Sequence, residues 1–124
     1  MEPSLNAQRT HEISDPAMRP ILDWIESYAV WTSLPPYTRA SIIKRAQKGE
    51  EAAREAMINH NMRLVLSRAT KKVGLGVPLP DLIQEGWLGL REAVTKYEPK
   101  RGTKFSTMAV NWIDQKLGRA LVTQ

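Results

Sequence analysis

The sequence contains no cysteine and no long run of apolar residues. Without cysteine there can be no disulfide framework, no thiolate metal site and no cysteine nucleophile. The opening residues, MEPSLNAQRTHEISD, lack the apolar core of a signal peptide, and no later segment approaches the roughly 20 apolar residues that span a bilayer. These absences predict a soluble, cytoplasmic protein that does not contact membranes.

The common signatures of catalysis are also missing. There is no glycine-rich phosphate loop, no metal-ligand spacing and no nucleophile paired with a base. The two histidines, His11 and His60, stand alone in the sequence, and such a histidine is more often a core or surface residue than a catalyst. The sequence therefore predicts no metal, no cofactor and no enzymatic activity.

Positive charge, by contrast, is present in excess. The 124 residues include 18 Lys and Arg against 13 Asp and Glu, which gives a net charge of +5. Such an excess favours polyanions through counterion release, so nucleic acid is a candidate partner. Many small domains carry a similar charge without binding nucleic acid, and composition alone leaves both options open.

Proline and glycine divide the chain into segments in which apolar residues recur at helical spacing. Residues 1–14 are polar and predict a flexible lead-in, whereas residues 15–124 predict one compact all-α domain of four to five helices. The helices are expected from about Pro20 to Leu34, from a Thr38 N-cap to about Lys48, from residue 50 to Gly74, from Pro80 to Tyr97, and from residue 105 to 122 with Ser106 or a neighbour near the cap.

The sequences of two of these helices indicate how the helices pack. The third and longest has one apolar stripe, shared or bordered by Ala53, Ala56, Met57, His60, Leu64 and Ala69. The fourth contains Gly86 and Gly89, which lower its helix propensity and indicate close packing against another helix.

Two stretches carry a more specific signal: NMRLVLSRATKK at 61–72 and DLIQEGWLGLREAVTKYEPKRGTKFSTMAVNWIDQKLGRAL at 81–121. They resemble region two of the sigma-seventy family, the bacterial factors that give RNA polymerase its promoter specificity. The upstream segment SLPPYTRASIIKRAQKGEEAAREAMINHN resembles the part that precedes region two. The resemblance extends from about residue 15 to the C-terminus, and the later domains of the family have no counterpart here.

For the fourth helix, the resemblance implies docking on a coiled coil of the largest polymerase subunit through Asp81, Gln84 and Glu85. These residues share one helical face at i, i+3 and i+4, although the helix dipole alone would also favour Asp81 in the first turn. The sequence departs from the family pattern at Trp87 and Arg91. Both are of types favoured at interface hot spots, and Trp87 is equally compatible with a place in the core.

The basic residues Lys100, Arg101 and Lys104 surround Gly102 just before the last helix. By themselves they fit a solvated turn, or a cluster that positions phosphates without reading sequence. The resemblance implies that Arg101, Lys104 and the adjoining Phe105 lie where sigma factors touch the promoter minus-ten region.

In the family two bases of that region are flipped into pockets. The resemblance implies a thymine pocket at Asn61, Ser106 and Thr107 and an adenine pocket at Tyr97, Glu98 and Arg101. The set of aromatic residues that the family uses for strand separation is thinned here, meaning that it has fewer members. Thr103, Met108 and Asn111 stand at three of these positions, and the fourth keeps an aromatic residue, Trp112. We expect Asp114, which stands in place of a basic residue, to repel phosphate and Arg119 to add a compensating contact. Gln115 fits either a residue that reads adenine in the major groove or a surface glutamine without a role.

Two functions fit this pattern. The first is a transcription initiation module that binds core RNA polymerase and contacts or helps to open the promoter, either alone or as one half of a split factor completed by a second polypeptide. The second is a co-regulator or decoy that keeps the polymerase-docking surface and has lost or altered promoter melting.

Overall fold

The computed structural model describes residues 19–122, which form five α-helices, one 3₁₀ turn and no strand. The predicted lead-in at residues 1–14 and His11 lie outside these residues. The all-α class is confirmed. The helices are α1 Arg19–Ser33, α2 Pro36–Gln47, α3 Glu51–Thr70, α4 Leu79–Lys96 and α5 Phe105–Val122, and the 3₁₀ turn is Pro99–Arg101.

The central helix is α3, which packs against each of the other four helices. Its buried row follows i, i+4 spacing through positions 53, 57, 61, 65 and 69, all at most 2% exposed. The predicted Ala53, Met57 and Ala69 lie in this row, whereas Ala56, His60 and Leu64 border it. The sequence interpretation missed Asn61, because a polar side chain in the middle of an apolar row is not expected from periodicity.

The helix ends differ from the expectation in two places. α2 begins at Pro36 with Pro35 as its N-cap, and Thr38, expected to be the cap, lies in the first turn with its amide 3.0 Å from the Pro35 carbonyl oxygen. Proline suits the first helical position because its φ is preset and its missing N–H would have no partner there. α3 ends at Thr70, earlier than expected, and the chain turns before Gly74, whose φ is +90°.

α4 packs closely against α3 at Gly86 and against α5 at Gly89. A Cβ atom on Gly86 would lie 2.6 Å from the Val65 side chain, and one on Gly89 would lie 2.6 Å from the Trp112 carbonyl oxygen and 2.8 Å from the Ile113 Cα. Both distances are below ordinary van der Waals contact. The predicted role of the two glycines in close packing is therefore confirmed, and Gly89 allows the two backbones themselves to touch.

Hydrophobic burial holds the crossing together. Leu82, Leu90 and Ala93 of α4 and Ile113 and Leu117 of α5 are completely buried. Each large aliphatic side chain contributes about 1.5–3 kcal/mol when it leaves water. Over residues 19–122, no helix has the length and apolar character needed to cross a membrane.

We predict that Gly89→Ala destabilises the domain by about 1–3 kcal/mol, because the new methyl group meets backbone atoms that cannot rotate away. Gly118→Ala in α5 is the matched control, since a Cβ atom there would meet nothing within 4 Å. It should stabilise the domain by about 0.5–1 kcal/mol through helix propensity. Urea unfolding followed by circular dichroism measures both, and equal effects of the two substitutions would contradict the close crossing.

Candidate functional site

A cavity of about 420 Å³ opens where α1, α2 and the start of α5 meet α3. Asn61 and Ser106, two of the residues predicted for one base pocket, line it together. Thr107, the third, is exposed on α5 and does not line it. The rest of the wall is aromatic, aliphatic and basic, and includes Tyr28, Trp31, Arg39, Ile43, Tyr97, Lys104 and Phe105.

Among residues 19–122, Asn61 is the one buried polar residue of the core, with 1% of its surface exposed. Its side-chain amide donates a hydrogen bond to the Met57 carbonyl oxygen at 2.8 Å. The other side-chain atom, Oδ1, has no hydrogen-bond partner among the described residues. A buried carbonyl oxygen without a donor costs about 1–3 kcal/mol, so Asn61 is held at the cavity at the expense of stability.

A second cavity of about 470 Å³ lies on the other side of Tyr97. It brings together the residues predicted for the second base pocket and those of the thinned aromatic set. Its lining consists of Lys96, Tyr97, Glu98, Arg101, Thr103, Met108, Asn111 and Trp112. These residues come from the end of α4, the following turn and one face of α5.

Tyr97 separates the two cavities and fixes the loop between α4 and α5. Its ring meets Phe105 edge to face at 5.3 Å between centroids, and its hydroxyl donates to the Thr103 carbonyl oxygen at 2.8 Å. The Gln47 side chain donates to the Tyr97 carbonyl oxygen. Phe105, predicted to lie at the DNA, is buried against this ring and reaches the surface only as part of the first cavity wall.

Two charged contacts at the second cavity were not expected. The Lys96 ammonium lies 5.6 Å from the centroid of the Trp112 ring, so one face of this tryptophan carries a cation. Arg101 pairs with Glu98 at 2.5 Å. Because both partners are more than half exposed, water screens the pair and it contributes little to stability. Arg101 can therefore exchange Glu98 for another anion.

Asp114 does not act as the isolated negative charge that the sequence suggested. Its carboxylate accepts two hydrogen bonds from Arg68 of α3, from Nε at 2.8 Å and from Nη2 at 2.7 Å. These bonds raise the pKa of the Arg68 guanidinium above its usual value. The expected repulsion of phosphate by Asp114 is thus offset by a cation 46 positions away in the sequence, which no local pattern reveals.

The predicted docking residues lie on α4 beside another opening. Asp81 and Gln84 are exposed and Glu85 is half-buried. They line a cavity of about 380 Å³ together with Gly76, Val77, Pro78 and Ala120. The loop before α4 and the end of α5 therefore complete this surface.

The sequence left open whether Trp87 lies in the core or on the surface, and the structure places it partly in both. It packs against the core and remains half-exposed, and the Arg91 guanidinium lies 4.9 Å from the centroid of its ring. Such a cation–π contact contributes about 0.5–1 kcal/mol at an exposed site. The pair forms the edge of the α4 surface that continues from Gln84.

The remaining residues of interest are placed more simply. Gln115 and Arg119 are exposed on α5, beyond the second cavity. His60 is half-buried, stacks on Trp31 and lies with Nδ1 2.9 Å from the Ser27 carbonyl oxygen, which makes it a structural residue. Within residues 19–122, no group of three or more His, Cys, Asp or Glu side chains could hold a metal ion.

A comparison with protein families identifies the domain. The family described as Sigma-70 region 2 matches residues 57–124, more than half of the chain. The chain belongs to the Sigma-70 region 2 family. Members of this family serve transcription initiation and are not enzymes.

Curated sigma factors are similar to this region 2 domain over a longer stretch. It is 48% identical over 83 residues to RNA polymerase sigma factor RpoS of Coxiella burnetii, which covers 67% of this chain and 24% of that protein. It is 44% identical over 91 residues to SigA of Clostridium acetobutylicum, covering 73% and 24%. With the sigma-C factor of Nostoc sp. it shares 41% over 106 residues, covering 86% and 25%. The chain thus spans about a quarter of the length of these relatives.

We predict that Asn61→Leu leaves the stability of the region 2 domain unchanged or raises it by up to about 1 kcal/mol. Leucine has a similar shape, and its substitution removes the unpartnered oxygen, while the Met57 carbonyl is an acceptor within the helix in any case. Asn59→Leu, at an exposed position of the same helix, is the control for helix propensity. A loss of more than about 1 kcal/mol in urea unfolding for Asn61→Leu alone would contradict the description of the oxygen as uncompensated.

Proposed function

We propose that this domain is a transcription initiation module that binds core RNA polymerase through α4 and contacts the promoter minus-ten region through α5. The observation that carries the proposal is the arrangement of the α4–α5 unit. Asp81, Gln84 and Glu85 line one opening on α4, while most of the residues predicted to contact bases line two cavities that share Tyr97. Such a role belongs in the cytoplasm, where RNA polymerase acts.

The proposed polymerase contact uses Asp81, Gln84 and Glu85. Their two carboxylates and one amide are suited to a basic, hydrogen-bonding partner, and the adjoining Trp87–Arg91 pair offers a rigid amphipathic surface. We propose that the partner is the coiled coil of the largest polymerase subunit. Membership of the family and the exposure of Gln84 support this assignment.

The proposed DNA contact uses both cavities. Their volumes, about 420 and 470 Å³, fall within the range of about 300–1,000 Å³ that holds a small ligand, a class that includes a flipped base. The first is lined by Asn61 and Ser106 together with aromatic side chains, and the second is lined by the Trp112 ring and the cations Lys96 and Arg101. Base flipping requires this combination of stacking surface and polar edge contacts.

A specific observation favours the second candidate, a polymerase-bound co-regulator or decoy with altered melting. Met108 and Asn111 line the second cavity beside Trp112, so Trp112 is the one aromatic ring that α5 contributes to the space in which separated strands would stack. The initiation role could also need a second polypeptide that supplies the functions of the remaining length of the relatives. Both versions keep the same polymerase contact.

We predict that Gln84→Ala combined with Glu85→Lys weakens binding to core RNA polymerase by about 2 kcal/mol or more, because the reversed charge leaves partner groups unpaired. This corresponds to roughly thirtyfold in Kd, measured by fluorescence anisotropy of the labelled domain. Glu55→Lys, an equal charge reversal at an exposed position of α3, is the control. Wild-type affinity in the double variant would rule out the proposed docking surface.

We predict that Met108→Tyr combined with Asn111→Trp increases promoter opening, since each restored stack contributes about 1–3 kcal/mol. The assay is permanganate reactivity of promoter thymines in the presence of core polymerase. Val122→Trp, which adds an aromatic ring at a position that is 83% exposed and outside the cavity, is the control.

The parent chain in the same assay separates the two candidate functions. Weak opening by the parent and stronger opening by the double variant support an initiation module limited by its aromatic residues. Full opening by the parent rejects the decoy. If neither protein reacts while both bind polymerase, the co-regulator is the better description.

A further inference from the structure

The Arg68–Asp114 pair is a feature that the proposed base cavities do not use. Asp114 is the only acidic residue of α5, and α3 carries no acidic residue after Glu55. The side chains of the pair are 29% and 35% exposed, so solvent or a partner can reach both. Two further cations, Lys71 and Lys72, follow directly after the end of α3 at Thr70.

The geometry of the pair leaves Arg68 able to bind a further group. Asp114 accepts from Nε and one Nη2 hydrogen, which occupies two of the five N–H donors of an arginine. The remaining donors point away from the carboxylate. Since the side chain is already held in one orientation, it loses little further freedom when it binds an anion.

The position of the pair relates it to the first cavity. Asn61 and Ser106 meet there, and Arg68 and Asp114 meet seven and eight residues further along the same two helices. At 1.5 Å per residue the two contacts are about 10–12 Å apart. The exposed Thr107 and Asn111 lie between them, on the face of α5 that continues to Asp114 at i, i+4 and i+7.

The surface is open beyond the pair. Gly118 follows Asp114 by one turn of α5, and a Cβ atom there would meet nothing within 4 Å. The surface just beyond Arg68 and Asp114 therefore has room for an extended chain that continues along the α3–α5 seam.

We propose that Arg68 contacts a backbone phosphate of the promoter DNA next to the base held at Asn61, with Asp114 positioning its guanidinium. The inference rests on the proposed function and adds a contact on α3 that lies outside both cavities. The partner is a phosphodiester because the unused N–H donors of Arg68 and the two lysines that follow it in the sequence suit an extended polyanion.

The test is the salt dependence of promoter binding by the complex of core polymerase with the full chain. The slope of log Kobs against log salt changes by about 0.7–0.9 for each phosphate contact. Arg68→Met should reduce the slope by this amount, and Arg68→Lys, which keeps the charge, should retain the parent slope. Asp114→Asn should keep the parent slope or make it steeper, because it removes a negative charge.

Arg45→Met is the matched control. Arg45 forms the same two-bond pair with Glu50 through Nε and Nη2 but lies on α2, away from the seam, so its slope should equal that of the parent. Circular dichroism confirms that each variant is folded.

An unchanged slope in Arg68→Met, or an equal loss in Arg68→Met and Asp114→Asn, overturns the proposal, and the second result makes the pair a structural cross-link. If the parent complex binds no promoter at all, the proposed function itself fails and the phosphate contact fails with it.

Discussion

The backbone of α5 approaches α4 so closely at Gly89 that any side chain there would collide with the Trp112 carbonyl oxygen. This single crossing fixes the rotation of both helices. It directs Gln84 outward on α4, and it brings the end of α4, with Lys96 and Tyr97, beside Trp112 of α5. The proposed polymerase-docking surface and the proposed DNA-contacting surface therefore lie on one closely packed helix pair.

The site is arranged at some expense to the stability of the fold. The core row of α3 contains Asn61, whose oxygen lacks a partner among residues 19–122, where a leucine would pack without cost. The second cavity is lined by two cations, Lys96 and Arg101, and one acid, Glu98, which pairs with Arg101 on an exposed surface. Unsatisfied polar groups and concentrated charge are typical of surfaces that await a ligand.

Much of this arrangement can be predicted from the sequence. Proline and glycine delimit the helices, and the low helix propensity of Gly86 and Gly89 predicts that this helix packs closely against another helix. What the sequence could not reveal depends on contacts between distant residues. The pairing of Arg68 with Asp114 joins two helices with another helix between them in the chain, and the burial of Asn61 contradicts its polarity. The N-cap of α2 was missed because Thr38 is the better cap by side chain, whereas Pro36 sets the backbone earlier.

Site-specific photo-crosslinking tests the central claim most directly. A photoreactive amino acid replaces either Gln84 or Met108, and each protein is irradiated in a complex with core RNA polymerase and promoter DNA. We expect position 84 to be cross-linked to the largest polymerase subunit and position 108 to bases of the minus-ten region. Linkage of position 84 to DNA, or of position 108 to polymerase alone, would contradict the assignment of the two surfaces.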